Sequence, residues 1–179
     1  LRLVIPTPVV VDAAAKQWKL QTCDRKTILF VGRFDKRKGG DTVLTAFRRL
    51  LEMDVQLKLV FIGPDRTLTS SDGSAIGFAQ FRDSLFTEAQ RASIRYLGQL
   101  PPSEVLDLRT KAMLTIVSSR WENQPNTALE AMMQACPVVA SDTGGMSEII
   151  EHRVTGLLAR ADDIEDLCAK VRQMLNDPA

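Results

Sequence analysis

Glu122 and Glu130 are separated by seven residues in Glu122-Asn123-Gln124-Pro125-Asn126-Thr127-Ala128-Leu129-Glu130. Two carboxylates so spaced bracket a turn and the first turn of a following helix. Both can point toward one crevice, where a carboxylate accepts paired hydrogen bonds from vicinal hydroxyls of a sugar or a ribose. The amides near Asn126 to Ala128 open that helix and can hold a phosphate between the two acids. The plainer alternative is that Asn126 caps the helix and both glutamates are solvated.

A second set is cationic: Gly32-Arg33-Phe34-Asp35-Lys36-Arg37-Lys38-Gly39. A strand ends in glycine, cations follow, and a helix begins within a few residues. Uncovered backbone N–H groups with Arg and Lys make an anion site suited to a diphosphate. Neither G-x-x-x-x-G-K-[ST] nor G-x-G-x-x-G is present, so this is neither a Walker A loop nor a dinucleotide fingerprint. An ordinary solvated turn is the competing reading. The third set is Ser141-Asp142-Thr143-Gly144-Gly145-Met146-Ser147-Glu148, where two glycines form a tight turn and leave amides uncovered.

Strands and helices alternate around these sets. Short apolar runs at 28–32, 57–63, 94–98, 112–117 and 137–140 are expected to be strands, the first of them buried on both faces. Gly40-Asp41 opens a helix with Val43, Leu44, Phe47, Leu50 and Leu51 on one stripe. Further helices are expected at about 78–92, after Pro101-Pro102 with Ser103 as N-cap, at 126–134, from Gly144-Gly145 through Glu151, and from a capping box at Asp162 and Glu165. The last should turn Ile164, Leu167, Val171 and Leu175 inward. The polar stretch 65–77 reads as a mobile surface loop. This succession predicts a mostly parallel sheet with helices on both faces. Ligands bind such sheets beyond the carboxyl ends of the strands, here at 32–40, 63–66, 98–100, 118–127 and 141–146.

Composition narrows the classes. The chain has 179 residues, 23 Lys and Arg against 22 Asp and Glu, and 45% hydrophobic residues. That excludes a disordered chain and argues against a generic nucleic-acid binder. The longest apolar runs are far too short to span a bilayer. Residues 1–15 show no secretory-signal pattern. Cys23, Cys136 and Cys168 have no C-x-x-C spacing, so no disulfide scaffold or metal site is expected, and a cytoplasmic location is the default. Cys136 and Cys168 read as small core residues, His152 as a solvated turn residue, and Trp121 as a packing anchor for its loop.

V-G-R-x-x-x-x-K-G at Val31 to Gly39, the glutamate pair followed by A-M, and P-V-V-A-S-D-x-G-G at Pro137 to Gly145 resemble the family-4 retaining glycosyltransferases. The resemblance covers roughly residues 27–176 and is to the carboxy-terminal, donor-binding half of the two-domain GT-B fold. It implies a Rossmann-like three-layer α/β/α domain over 1–179. Leu3-Val4-Ile5-Pro6, within a connecting segment at 1–26, resembles the passage from an absent amino-terminal acceptor domain.

The resemblance implies catalytic roles for Arg33, Lys38 and Glu122. Arg33 and Lys38 would bind the diphosphate of a UDP- or GDP-linked sugar donor and stabilise the leaving nucleotide without a metal or other cofactor. Glu122, helped by amides of Asn123, Gln124 and Pro125, would hold the transferred sugar. Glu130 would hold the ribose, and Asn126 and Thr127 the phosphates. Gly98, Gln99 and Leu100 would frame the base, while Gly32, Gly63 and Gly144 would line the donor site. Absence of the acceptor half implies a fragment that binds a nucleoside diphosphate and transfers nothing alone. Membrane contact, at the inner face, would come only through that half. A non-catalytic nucleotide-sugar binding module, or an epimerase or phosphorylase of related fold, are the alternative functions. The direct Cys136-Pro137 junction departs from the family pattern, implying a shortened turn and a shifted helix for Glu130.

Overall fold

The computed structural model describes residues 16–70 and 72–177; the Leu3–Pro6 segment lies outside them. Six strands form one sheet in the order β5-β2-β1-β6-β7-β8. They are β1 (Asp24–Val31), β2 (Lys58–Ile62), β5 (Ile94–Tyr96), β6 (Ala112–Val117), β7 (Val138–Asp142) and β8 (Leu157–Arg160). Every pairing is parallel. The order runs outward from β1 on one side and from β6 on the other. The β1/β6 boundary is therefore the switch point, and a crevice opens at its carboxyl end.

Alternation along the strands separates two apolar faces. Ile28, Phe30, Leu59, Phe61, Leu114, Ile116 and Val139 join one core with residues of α1 (Gly40–Met53) and α7 (Ile164–Asn176). Leu29, Val60 and Ile62 meet Val105 of α4 (Pro102–Lys111). Val117, Val138 and Ala140 meet Ala128 and Ala131 of α5 (Asn126–Met133) and Met146 of α6 (Met146–Ile149). Helices thus cover both faces, giving the expected three layers.

Several local expectations are corrected. The stretch 65–77 is not a bare loop: β3 (Leu68–Thr69) pairs antiparallel with β4 (Ala75–Ile76), and Leu68 is buried beneath the hairpin. The single helix at 78–92 is two, α2 (Phe78–Leu85) and α3 (Glu88–Arg91). Phe86 turns inward toward Phe47 at the break, and a capping box of Thr87 and Gln90 restarts the chain. The N-cap of α4 is Pro101 rather than Ser103, because Pro102 at the first position needs no N–H partner. Asp163, not Asp162, caps α7, since Asp162 adopts a left-handed φ of 60°. The edge strand β8, four residues long, was too short to stand out among the helices. Ile164 and Leu175 are only partly buried, whereas Leu167, Cys168, Val171 and Met174 are buried.

Candidate nucleotide-binding cleft

The loop after β1 is held by an aromatic plug. Phe34 is fully buried and meets Phe78 edge-on, with centroids 5.5 Å apart; Phe78 stacks on Tyr96. Phe34 is buried while its neighbours Arg33 and Asp35 are only partly covered, which fixes the chain's course. Asp35 Oδ1 accepts from the Lys38 N–H at 2.6 Å, closing the turn. Gly39 follows with φ 69°, and a Cβ there would overlap the Ser118 carbonyl. Only glycine lets the two loops meet this closely. Ser118 Oγ donates to the Gly39 carbonyl at 2.9 Å.

The loop after β6 is fastened to the same turn. Arg120 N–H donates to the Arg37 carbonyl at 2.8 Å. The Arg120 guanidinium reaches both Asp41 oxygens, at 2.7 and 2.9 Å, and Asp162 at 2.7 Å. Burial opposes its charge, but Asp41 and Asp162 outweigh that and raise its pKa above the ordinary arginine value. Bidentate geometry with two carboxylates makes Arg120 the rigid tie between these loops.

Within this frame Lys38 donates to Glu122 Oε1. Glu122 is buried, and Ser119 Oγ donates to the same oxygen at 3.0 Å. Arg37 lies 3.6 Å from Oε2, and Arg33 pairs with Asp35 at 2.9 Å. A cavity of about 430 Å³ opens beside them, lined by Gly32, Arg33, Lys38, Gly63, Pro64, Arg66, Gln99, Leu100, Val105 and Thr127, with Val31 and Ile62 at its floor. Thr127 Oγ1 donates to the Val31 carbonyl at 3.4 Å, joining the start of α5 to the end of β1. Gly63 N–H donates to the Gly98 carbonyl at 2.7 Å, so Gly98 supports the wall from behind.

Glu122, Gly98, Glu130 and the remaining sequence-derived residues do not line this cavity. Asn123 and Asn126 are exposed, Gln124 is half-buried and Pro125 is buried. Pro125, not Asn126, is the N-cap of α5, which removes the capping role for Asn126. Gly144 and Gly145 sit behind the acidic loop. A Cβ on either would strike the Glu122 or Asn123 carbonyl, and Gly145 N–H donates to Glu122 O at 2.9 Å. Trp121 is 61% exposed and anchors nothing, because Glu122 takes the inward direction.

Glu130 pairs at 3.1 Å with Arg109, which is completely buried and donates also to Gln134 Oε1 at 2.8 Å. The turn after α5 is closed by backbone hydrogen bonds. Cys136 N–H donates to Ala131 O and Ala135 N–H to Met132 O, each at 2.9 Å, a Schellman closure with Ala135 at φ 56°. Glu130 lies one turn inside α5 (Asn126–Met133).

Sequence reasoning missed Arg66, Arg109, Ser118, Ser119 and Arg120. Arg66 lay in a loop already singled out, next to Gly63-Pro64. Nothing in the local sequence marks Arg109 as buried or Arg120 as a tie, since their partners lie far along the chain. Cys136 and Cys168 are buried as expected, and burial pushes both thiols up to about 11. The exposed His152 accepts at Nδ1 from Leu158 N–H.

A larger hollow of about 590 Å³ lies at the opposite end of the sheet, around Trp18, Met132, Pro137 and Met174. It has none of the loops that follow the parallel strands. Among the described residues no helix is long and apolar enough to cross a membrane.

The profile of the family described as glycosyl transferases group 1 matches residues 12–179. A D-inositol 3-phosphate glycosyltransferase of Corynebacterium aurimucosum is 31% identical over 157 residues, covering 85% of this chain and 35% of that protein. Sucrose-phosphate synthase from Thermosynechococcus elongatus superposes with a TM-score of 0.70 at 30% identity, over 87% of this chain and 37% of that one. HepE of Anabaena, solved with UDP, shares the fold with a TM-score of 0.69 at 20% identity, over 86% of this chain and 40% of that one. The chain spans about a third of the length of the curated relatives it matches. On the match across residues 12–179, the chain belongs to the glycosyl transferases group 1 family.

Proposed function

We propose that this chain is the donor-binding half of a metal-independent, retaining glycosyltransferase, with a UDP- or GDP-linked sugar in the cleft. The observation that carries this reading is the cavity at the switch point, where Arg33 and Lys38 face the ends of β1 and β2 and Thr127 opens α5. Arg33 and Lys38 would meet the diphosphate, assisted by the amides at the start of α5. Their positive charge would stabilise the charge that develops on the leaving nucleotide. Glu122 and the adjoining amides would orient the sugar, Glu130 the ribose, and the Gly98–Leu100 segment the base. The acceptor would be bound by another part of the polypeptide, and the chain alone would transfer no sugar. Its location would be cytoplasmic, at the inner face of a membrane if that other part contacts lipid.

The UDP bound by Anabaena HepE supports UDP as the first probe, with GDP beside it. Calorimetry of the chain in the presence of a chelator is expected to give binding of at least one diphosphate, unchanged by removing divalent cations. Affinity that collapses in chelator, or sugar transfer by residues 1–179 alone, would contradict the reading.

A further inference from the structure

We propose that Arg66 is a third phosphate-binding cation of this cleft, and the one whose charge is unopposed before a ligand arrives. The inference rests on reading the cleft as a nucleoside-diphosphate site. Three cationic side chains line the cavity: Arg33, Lys38 and Arg66. Two are already neutralised within the protein, Arg33 by Asp35 and Lys38 by Glu122. Arg66 has no side-chain hydrogen bond or ion pair among the described residues.

A phosphate that approaches Arg33 or Lys38 must compete with a carboxylate that is already in place. The net gain at either position is the difference between two charge-assisted interactions. At the exposed Arg66 the incoming oxygen displaces water rather than a carboxylate, so the net gain is the larger of the two. A guanidinium also offers paired donors matched to two phosphate oxygens.

The backbone places Arg66 deliberately. Its N–H donates to the Phe34 carbonyl at 3.0 Å, and Phe34 N–H donates to the Pro64 carbonyl at 2.9 Å. The loop after β2 is thereby stitched to the loop that carries Arg33. Gly63, at φ 141°, leaves no room for a Cβ against the Gly32 carbonyl, which brings the two loops together at the cavity wall. Asp65 is turned away from this wall: its carboxylate accepts from the N–H groups of Thr67 and Phe78, at 2.9 and 2.7 Å. Arg66 is left facing the cavity with its backbone fixed and its charge unspent.

The test is calorimetric titration of the 179-residue chain and its Arg66→Met and Arg66→Lys variants with UDP, GDP and inorganic pyrophosphate. Arg66→Met is expected to weaken the bound diphosphates by about tenfold or more. Arg66→Lys should recover part of that loss. The melting temperature of both should match the wild type, because no ion pair inside the protein is removed. Equal affinity of wild type and Arg66→Met, with the wild type binding, would overturn the role of Arg66 and leave the cleft assignment standing. Failure of the wild type to bind UDP, GDP and pyrophosphate would overturn the cleft assignment and this inference with it.

Discussion

Lys38 and Glu122, 84 positions apart in the chain, form an ion pair across the switch point of the sheet. Glu122 also accepts from Ser119 and faces Arg37, so its oxygens are engaged by the protein's own donors. A donor that takes over Lys38 would release Glu122 Oε1 for a sugar hydroxyl. If Lys38 meets a diphosphate and Glu122 a sugar, as proposed, the two binding events would be coupled through this one pair.

The coupling makes the Glu122→Gln variant informative. It removes the carboxylate that holds Lys38, so free UDP or GDP is expected to bind more tightly than to wild type. The added affinity conferred by a sugar should disappear, a loss of about 1.5–3 kcal/mol per charge-assisted hydrogen bond. Calorimetry with a nucleoside diphosphate and a panel of its sugar conjugates checks both. Weaker binding of the free nucleotide would refute the coupling.

Glu130 has a structural duty that a binding assay alone would confuse with a ligand role. It is the counterion of the completely buried Arg109, whose Nε has no partner. Glu130→Gln strands that charge, and the cost of an unpaired buried ion reaches about 3 kcal/mol at most here, because the Glu130 side chain is 44% exposed and water screens the site. Arg109→Met in the same background should recover stability, with a coupling of about 1–2 kcal/mol in a double-mutant cycle by urea unfolding. Additive effects would show that the pair contributes nothing to the fold.

Ala135→Gly should stabilise the protein. Ala135 closes α5 at φ 56°, a conformation that costs an L-residue about 1–2 kcal/mol. Glycine relieves this and gives back about 0.4–1 kcal/mol through its freer unfolded chain. A net gain of about 0.5–1 kcal/mol is expected, read as a higher melting temperature. A lower one would mean that the methyl group's contacts outweigh the strain.

Acid should loosen the hold of Asp162 on Arg120. The Arg120 guanidinium, donating to Asp162, holds that carboxyl below the usual carboxylate range. A lowered folded-state pKa stabilises the protein above the unfolded value of about 3.9 and is lost as pH falls through it toward the folded value. Asp162 is half exposed, so its share is on the order of 0.5 kcal/mol after screening. Asp162→Asn should lower the melting temperature at pH 7 and make its fall below pH ~4 shallower. A parallel pair of profiles would remove Asp162 from the acid transition.

Much of the fold was legible because five of the six sheet strands are apolar runs bounded by glycine, proline or polar turns. The loops at their carboxyl ends followed from that order, and with them Arg33, Lys38, Glu122 and Thr127. Burial of Arg109 and the bridging by Arg120 were not legible. Each depends on a partner that only the tertiary fold brings near: Glu130 one helix away, and Asp41 and Asp162 on opposite sides in sequence. The hairpin β3–β4 was hidden for a related reason. Its two apolar residues, Leu68 and Ile76, are paired across a polar turn and too far apart to form a run. Trp121 misled because its size suggests burial, while the chain gives the inward position to the charged neighbour that pairs with Lys38.

On the proposed reading, the cleft between the loops after β1 and β6 receives a nucleoside diphosphate. Amide hydrogen exchange of the chain, with and without saturating UDP or GDP, locates the bound nucleotide residue by residue. Protection is expected to rise at residues 32–38, 63–66, 98–100 and 118–130, with the rest of the chain unchanged. Protection confined to the hollow around Trp18, Met132 and Pro137, or no change with either nucleotide, would contradict it.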